Sequence, residues 1–124
     1  MRVTIQISEK QANILQWALE AYARAGMGQY FDALFGQTIP PTGTIEELRE
    51  ACYHLKCIMF PMMDQHSYPG ISMTEERNKI AWEMYQTIRQ VLAYQRHPEG
   101  GHTVAFDAPM RLTDEPLPKI TVKP

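Results

Sequence analysis

Hydrophobic positions recur along this chain at two spacings. Val3, Ile5 and Ile7 alternate with Arg2, Thr4 and Gln6, the pattern of a half-buried strand. Ser8 closes that run and, with Gln11, forms a capping box that opens a helix. Ile14, Leu15, Ala18, Leu19 and Tyr22 then share one helical face. Gly26-Met27-Gly28 interrupts the helix, because two glycines cost about 2 kcal/mol of helix propensity against alanine. A short helical piece follows with Tyr30, Phe31, Leu34 and Phe35, and Gly36 is its natural stop. Gln37 to Gly43 reads as a loop, with Pro40-Pro41 inside it.

Thr44 with Glu47 predicts a second capping box. Ile45, Leu48, Cys52, Leu55 and Met59 step by three and four behind it, up to the stop at Pro61. Asp64 to Ile71 is polar and carries Tyr68-Pro69-Gly70, a loop. Ser72 with Glu75 is a third capping box, so a long amphipathic helix is expected over Ser72 to Arg96. Pro98 disfavours helical geometry at His97 and fixes its end. Beyond Gly100-Gly101, residues 102–106 alternate with Val104 and Phe106 inward, and Ile120 and Val122 mark a last short strand over 119–123. The fold class expected is α+β, mostly α: three to four helices with a few short antiparallel strands at the N- and C-terminal ends. Residues 1–124 are expected to make a single domain, with 107–124 as an extended C-terminal arm.

Composition bounds the function more than it names it. At 124 residues, with 44% apolar and 21% charged positions, the chain is globular in type and long enough to bury a core without staples. A net charge of -2 argues against stable non-specific nucleic-acid binding. No apolar run approaches a bilayer span, and the N-terminus lacks a signal-peptide core. A cytoplasmic protein with no membrane association is the expectation. Cys52 and Cys57 cannot form a disulfide scaffold, and five residues of helix turn them about 140° apart.

The long helix carries two stripes. Ile80, Ala81, Met84, Ile88, Val91, Leu92 and Gln95 form the expected core face. Trp82, Tyr85, Arg89, Ala93 and Arg96 form a second, centred roughly 130° away. Rings and guanidinium groups in one line suit stacking on a base and pairing with phosphate or carboxylate. They suit equally the packing of a loop or of a second subunit, since Trp, Tyr and Arg dominate interface hot spots.

Arg24-Ala25-Gly26-Met27-Gly28-Gln29 is the second feature. A Gly-x-Gly break admits a close neighbour, and the amides of the following turn are candidates for an anion. The alternative is a break that makes room for packing. Arg96-His97-Pro98-Glu99-Gly100-Gly101-His102 is the third, with two imidazoles around a glycine turn. No nucleophile stands beside them, so no catalytic residue is assigned. Cys52, His54, Cys57 and His66 lack a metal-ligand spacing, and no metal or cofactor is expected.

Three stretches together carry a resemblance: Arg24 to Gln29, Ala81-Trp82-Glu83-Met84-Tyr85-Gln86-Thr87-Ile88-Arg89, and Arg96 to Gly101 with Val104-Ala105-Phe106-Asp107. With them the chain resembles, over nearly its whole length, a family of small proteins of tailed bacteriophages and prophages to which no activity attaches. The resemblance implies expression in the cytoplasm of an infected bacterium and supplies no catalytic residues. In that setting the expectation is a non-enzymatic accessory protein. It would bind a small anionic, nucleotide-like ligand through Trp82, Tyr85, Arg89, Arg96, Arg24, Gln29, His97 and His102, and so sequester an immune signalling nucleotide. The alternative is a protein–protein interaction module that inhibits a host protein or serves phage assembly. Either form is expected to assemble as a homo-oligomer.

Overall fold

The computed structural model describes residues 1–35, 45–64 and 66–124. Four helices carry the described residues: α1 (Glu9–Gly26), α2 (Tyr30–Phe35), α3 (Ile45–Met59) and α4 (Glu76–Arg96). Two short 3-10 turns, Ile71–Met73 and Val104–Phe106, complete the regular structure. The Thr44 box and the loop at 37–43 lie outside the described residues.

The helix boundaries follow local chemistry where that chemistry is self-contained. Ser8 Oγ accepts from the Gln11 amide at 3.2 Å, and Gln11 Oε1 accepts from the Ser8 amide at 2.8 Å, so the first capping box starts α1. Its end is a Schellman motif. The Gln29 amide donates to the Arg24 carbonyl and the Gly28 amide to the Ala25 carbonyl. Gly28 takes the left-handed conformation that this motif requires, φ +71°. The Arg24 to Gln29 stretch is therefore a helix stop, and the Gly28 and Gln29 amides are consumed by it rather than presented to an anion.

The start of α4 differs from the expectation. Ser72 lies within the 3-10 turn, and the Thr74 hydroxyl donates back to the Ile71 carbonyl at 2.7 Å. Glu75 becomes the N-cap without a side-chain cap bond. The helix begins at Glu76 and ends as expected at Arg96, where the His97 amide reaches the Ala93 carbonyl and the chain leaves helical geometry.

The α+β expectation is wrong: the structure is all-helical, and no strand or sheet occurs among the described residues. Residues 2–7 have the alternation of a strand but no second strand to pair with, and a lone strand is not stable. At 102–106 the carbonyls a ladder would need are taken by α4. Arg89 donates to the Val104 carbonyl at 3.1 Å and Gln90 to the Phe106 carbonyl at 3.3 Å. The Phe106 ring docks edge-on against Tyr94, and the chain curls into a 3-10 turn instead. Residues 119–123 likewise join no ladder.

α1 and α4 pack antiparallel. At one end Arg96 reaches Glu9 and Asn13, and at the other the Asn78 amide donates to the Tyr22 carbonyl at 3.0 Å. The buried line of α4 is Asn78, Ala81, Tyr85, Ile88 and Leu92, with Ala23 and Met27 buried from α1 and its C-cap. That line runs between the two stripes expected from sequence. Tyr85 belongs to the core, Ile80, Met84 and Val91 are half-buried, and Gln95 is exposed.

A third side of α4 is covered by the C-terminal segment, which crosses it without regular structure. Glu83, 2% exposed, holds it. Its Oε1 accepts from the Thr113 hydroxyl at 2.6 Å and the Leu112 amide at 3.4 Å, and Arg111 lies 3.3 Å from Oε2. Gln86 Oε1 accepts from the Met110 amide at 2.6 Å.

Candidate functional site

Five of the eight residues expected to bind ligand meet along the seam between α1 and α4. Arg24 Nη1 donates to Gln29 Oε1 at 2.6 Å, and its Nε and Nη2 lie 3.4 Å from Glu20 Oε2. The same guanidinium sits 5.3 Å from the centre of the Trp82 ring, which meets Tyr85 edge-on at 5.2 Å. Arg89 Nη1 donates to the Tyr85 hydroxyl at 2.8 Å, and its carbon lies over the same ring. Burial pushes the Tyr85 phenol up, Glu20 adds to that, and Arg89 opposes it.

This arrangement ties the two guanidinium groups to partners within the fold. Arg89 is spent on Tyr85 and the Val104 carbonyl, so it fastens the turn after α4 rather than facing a ligand. The other three expected residues lie elsewhere. Arg96 is at the far end of α1 with Glu9 and Asn13. His97 and His102 are exposed, with His97 beside the Phe106 ring.

A concave surface lies on the other side of Arg24. A cavity of about 570 Å³ opens between the α1–α2 turn, α2, α3 and the segment at Tyr68. Arg24 and Gln29 line it from one wall. Phe31, Arg49, Tyr53 and Tyr68 line it from the others, with Tyr30, Asp32 and Cys52 between them. The same chemistry expected of the α4 stripe, rings beside guanidinium groups, is thus assembled here from three helices and the segment at Tyr68.

Local packing sets the character of these groups. Arg49 stacks over Phe31, 5.0 Å from its centre, and its ion pair to Glu46 at 3.5 Å is solvent-exposed and weak. Lys56 is wholly buried under the floor. Its ammonium donates to the Asp64 carbonyl and lies 4.7 Å from the Tyr68 ring centre and 5.5 Å from that of Tyr53. A cation between two ring faces pins the Tyr68 segment to α3. Burial pushes the Tyr53 phenol up to about 12, reinforced by its hydrogen bond and charge interaction with Cys57 and by Tyr68 and Asp64. Asp64 goes the other way, lowered chiefly by its hydrogen bonds from Ser67 and the His66 amide. The Tyr30 phenol and the Cys52 thiol are raised by burial. The Tyr30 and Tyr53 phenols of the groove therefore stay neutral at neutral pH.

Sequence reasoning missed Arg49, Tyr53 and Tyr68. The available signal was Arg49 with Tyr53, one helical turn apart beside the α3 stripe, but nothing local ties either to Tyr68.

Among the described residues no three of His, Cys, Asp or Glu gather at metal-binding range, and Cys52 and Cys57 are free thiols. No helix among them is long and apolar enough to cross a membrane. Comparisons with protein-family models, with curated proteins and with solved structures find no match to this chain.

Proposed function

We propose that this chain is a non-enzymatic binding protein whose groove holds a small anionic ligand with a planar ring, of the nucleotide class. One observation carries the reading: Arg24, Arg49, Phe31, Tyr53 and Tyr68 line a single cavity of about 570 Å³. That volume is in the usual range for small-molecule sites. Arg49, stacked on Phe31 and paired with the exposed Glu46, supplies the fork for a phosphate. Tyr53 and Tyr68 supply ring faces, and the Tyr53 hydroxyl stays a donor because its phenol ionises late. Arg24 fixes one wall, since it is paired with Glu20 and donates to Gln29. Burial keeps Cys52 and Tyr30 protonated, which suits a binding role over a nucleophilic one.

In the bacteriophage setting that the sequence resembles, such a protein sequesters a signalling nucleotide of host defence. Isothermal titration against cyclic dinucleotides and ADP-ribose-type nucleotides tests this. Micromolar binding is expected, weakened at least tenfold in Arg49→Ala and in Tyr53→Ala and kept in His102→Ala. Absence of binding at tens of micromolar, or unchanged binding in Arg49→Ala, overturns it.

A second reading, a module that binds a host protein or serves phage assembly, is favoured by the apolar end of α3. Leu55, Ile58, Met59 and Met62 are all exposed there. It expects one stoichiometric protein partner from host lysate, lost in Ile58→Asp.

A further inference from the structure

α1 turns its apolar stripe outward. Ile14, Leu15, Ala18 and Tyr22 are exposed, Ile14 at 62%, while Asn13, Gln16, Leu19 and Glu20 lie on the half-buried side that leads to Ala23. A surface helix of a monomer shows the reverse arrangement. The arm before α1 is equally bare: Val3 is 75% and Ile5 69% exposed, and residues 1–7 make no backbone hydrogen bond among the described residues.

We propose that a second copy of this chain covers this face, with the two N-terminal arms paired as an antiparallel ribbon seated on α1. The arm is complementary to itself in one register above the others. Opposed residues of an antiparallel pair share a face. When Ile5 faces Ile5 of the second copy, Val3 faces Ile7 and Ile7 faces Val3, so all apolar side chains fall on one side. Thr4 and Gln6 then face each other on the other side. Sliding by a single residue mixes apolar and polar partners throughout.

The exposed area agrees. The chain presents 9145 Å², whereas a compact monomer of this mass presents about 6,800 Å². The excess, roughly 2,300 Å² over the whole chain, leaves room for the ~800 Å² per partner that a standard stable interface removes. The same pairing satisfies the half of the arms' backbone donors and acceptors that face each other. This surface is independent of the groove between α1, α2 and α3, and either reading stands without the other.

Light scattering on size-exclusion eluate and sedimentation equilibrium, at micromolar concentration of the full chain, should give twice the chain mass or an even multiple of it. Ile5→Asp and Leu15→Glu, both at exposed positions, should each weaken self-association at least roughly thirtyfold with helical circular dichroism unchanged. Cysteine placement reads the register, in a Cys57→Ser background with Cys52 buried. Ile5→Cys should give a disulfide-linked dimer under mild oxidation, because facing residues lie within disulfide reach. Val3→Cys should not. A wild-type monomer at tens of micromolar overturns the proposal. So does a dimer that survives both charge substitutions, or one in which Val3→Cys cross-links and Ile5→Cys does not.

Discussion

Gly26→Ala sets two opposed effects against each other at the closest approach of α1 and α4. Alanine in the last turn of α1 gains about 0.8–1 kcal/mol of helix propensity over glycine. Its Cβ, however, would stand 2.6 Å from both Cγ and Nδ2 of Asn78. The Asn78 amide is 8% exposed and donates to the Tyr22 carbonyl, so it has no easy way aside. Displacing it forfeits a hydrogen bond worth about 1 kcal/mol and leaves a buried amide short of a partner, about 1–3 kcal/mol more. The substitution is expected to destabilise by about 2 kcal/mol in net. For a chain of this length that lowers the melting midpoint by roughly 8 °C. In Asn78→Ala the obstacle is gone and only propensity remains, so Gly26→Ala there should stabilise by about 0.5–1 kcal/mol. Urea titrations of the four proteins, followed by far-ultraviolet circular dichroism, complete the double-mutant cycle. If Gly26→Ala is neutral in the wild-type background, or costs as much in the Asn78→Ala background as in the wild type, the packing argument fails.

Glu83→Gln keeps volume but removes the charge that holds Arg111 and Thr113, and should cost about 2 kcal/mol. Hydrogen exchange should speed up at Leu112 and Thr113 while the Ala81 and Ile88 amides stay protected. The Tyr53 phenol, raised to about 12 from an ordinary 10.0, should ionise late in an ultraviolet titration. Because its folded value is the higher, its contribution to stability is full below pH 10.0 and is lost as pH climbs toward 12. Tyr53→Phe should remove that part of the alkaline loss seen by thermal melts. Asp64, lowered by its hydrogen bonds, contributes above the ordinary carboxylate range and loses that contribution as pH falls below it, so Asp64→Asn should blunt the acid-side loss. Cys52, buried and with its thiol raised, should resist iodoacetamide at neutral pH until the protein is unfolded, and Cys57 should react first.

What could be read from sequence was what neighbours along the chain decide. The Ser8–Gln11 box, the break at Gly26–Gly28 and the stop at Arg96 each depend on a few adjacent residues, and each stands where the pattern put it. The start of α4 misled because Thr74 bonds back to Ile71 and spoils a box that the letters Ser72 and Glu75 spell. The expected strands misled because alternation describes a segment's own two faces and says nothing about whether a partner exists. Helical periodicity has the same limit. It found the stripe on α1 but not that α1 would turn it away from α4. On α4 the buried line passes through Tyr85, between the two stripes, because coverage comes from α1 on one side and the C-terminal segment on another. Arg24 and Gln29, which one motif holds together, are the two expected residues that line the groove. Arg49, Tyr53 and Tyr68 were not, because the chain between them carries no shared local signal.

The antiparallel pairing of α1 and α4 also has a kinetic side. The two helices that share most of the core are separated by residues 27–75, which is 49 residues. Their first contact must close that loop before much apolar surface is gained, so folding should be slower than in a bundle built of helical hairpins. Halving the excursion would lower the closure cost by about 0.6 kcal/mol, roughly a threefold gain in rate. Yet every groove-lining residue except Arg24 belongs to that excursion. The stretch of chain that delays assembly of the core is the one that builds its concave surface, so shortening it for speed removes the groove.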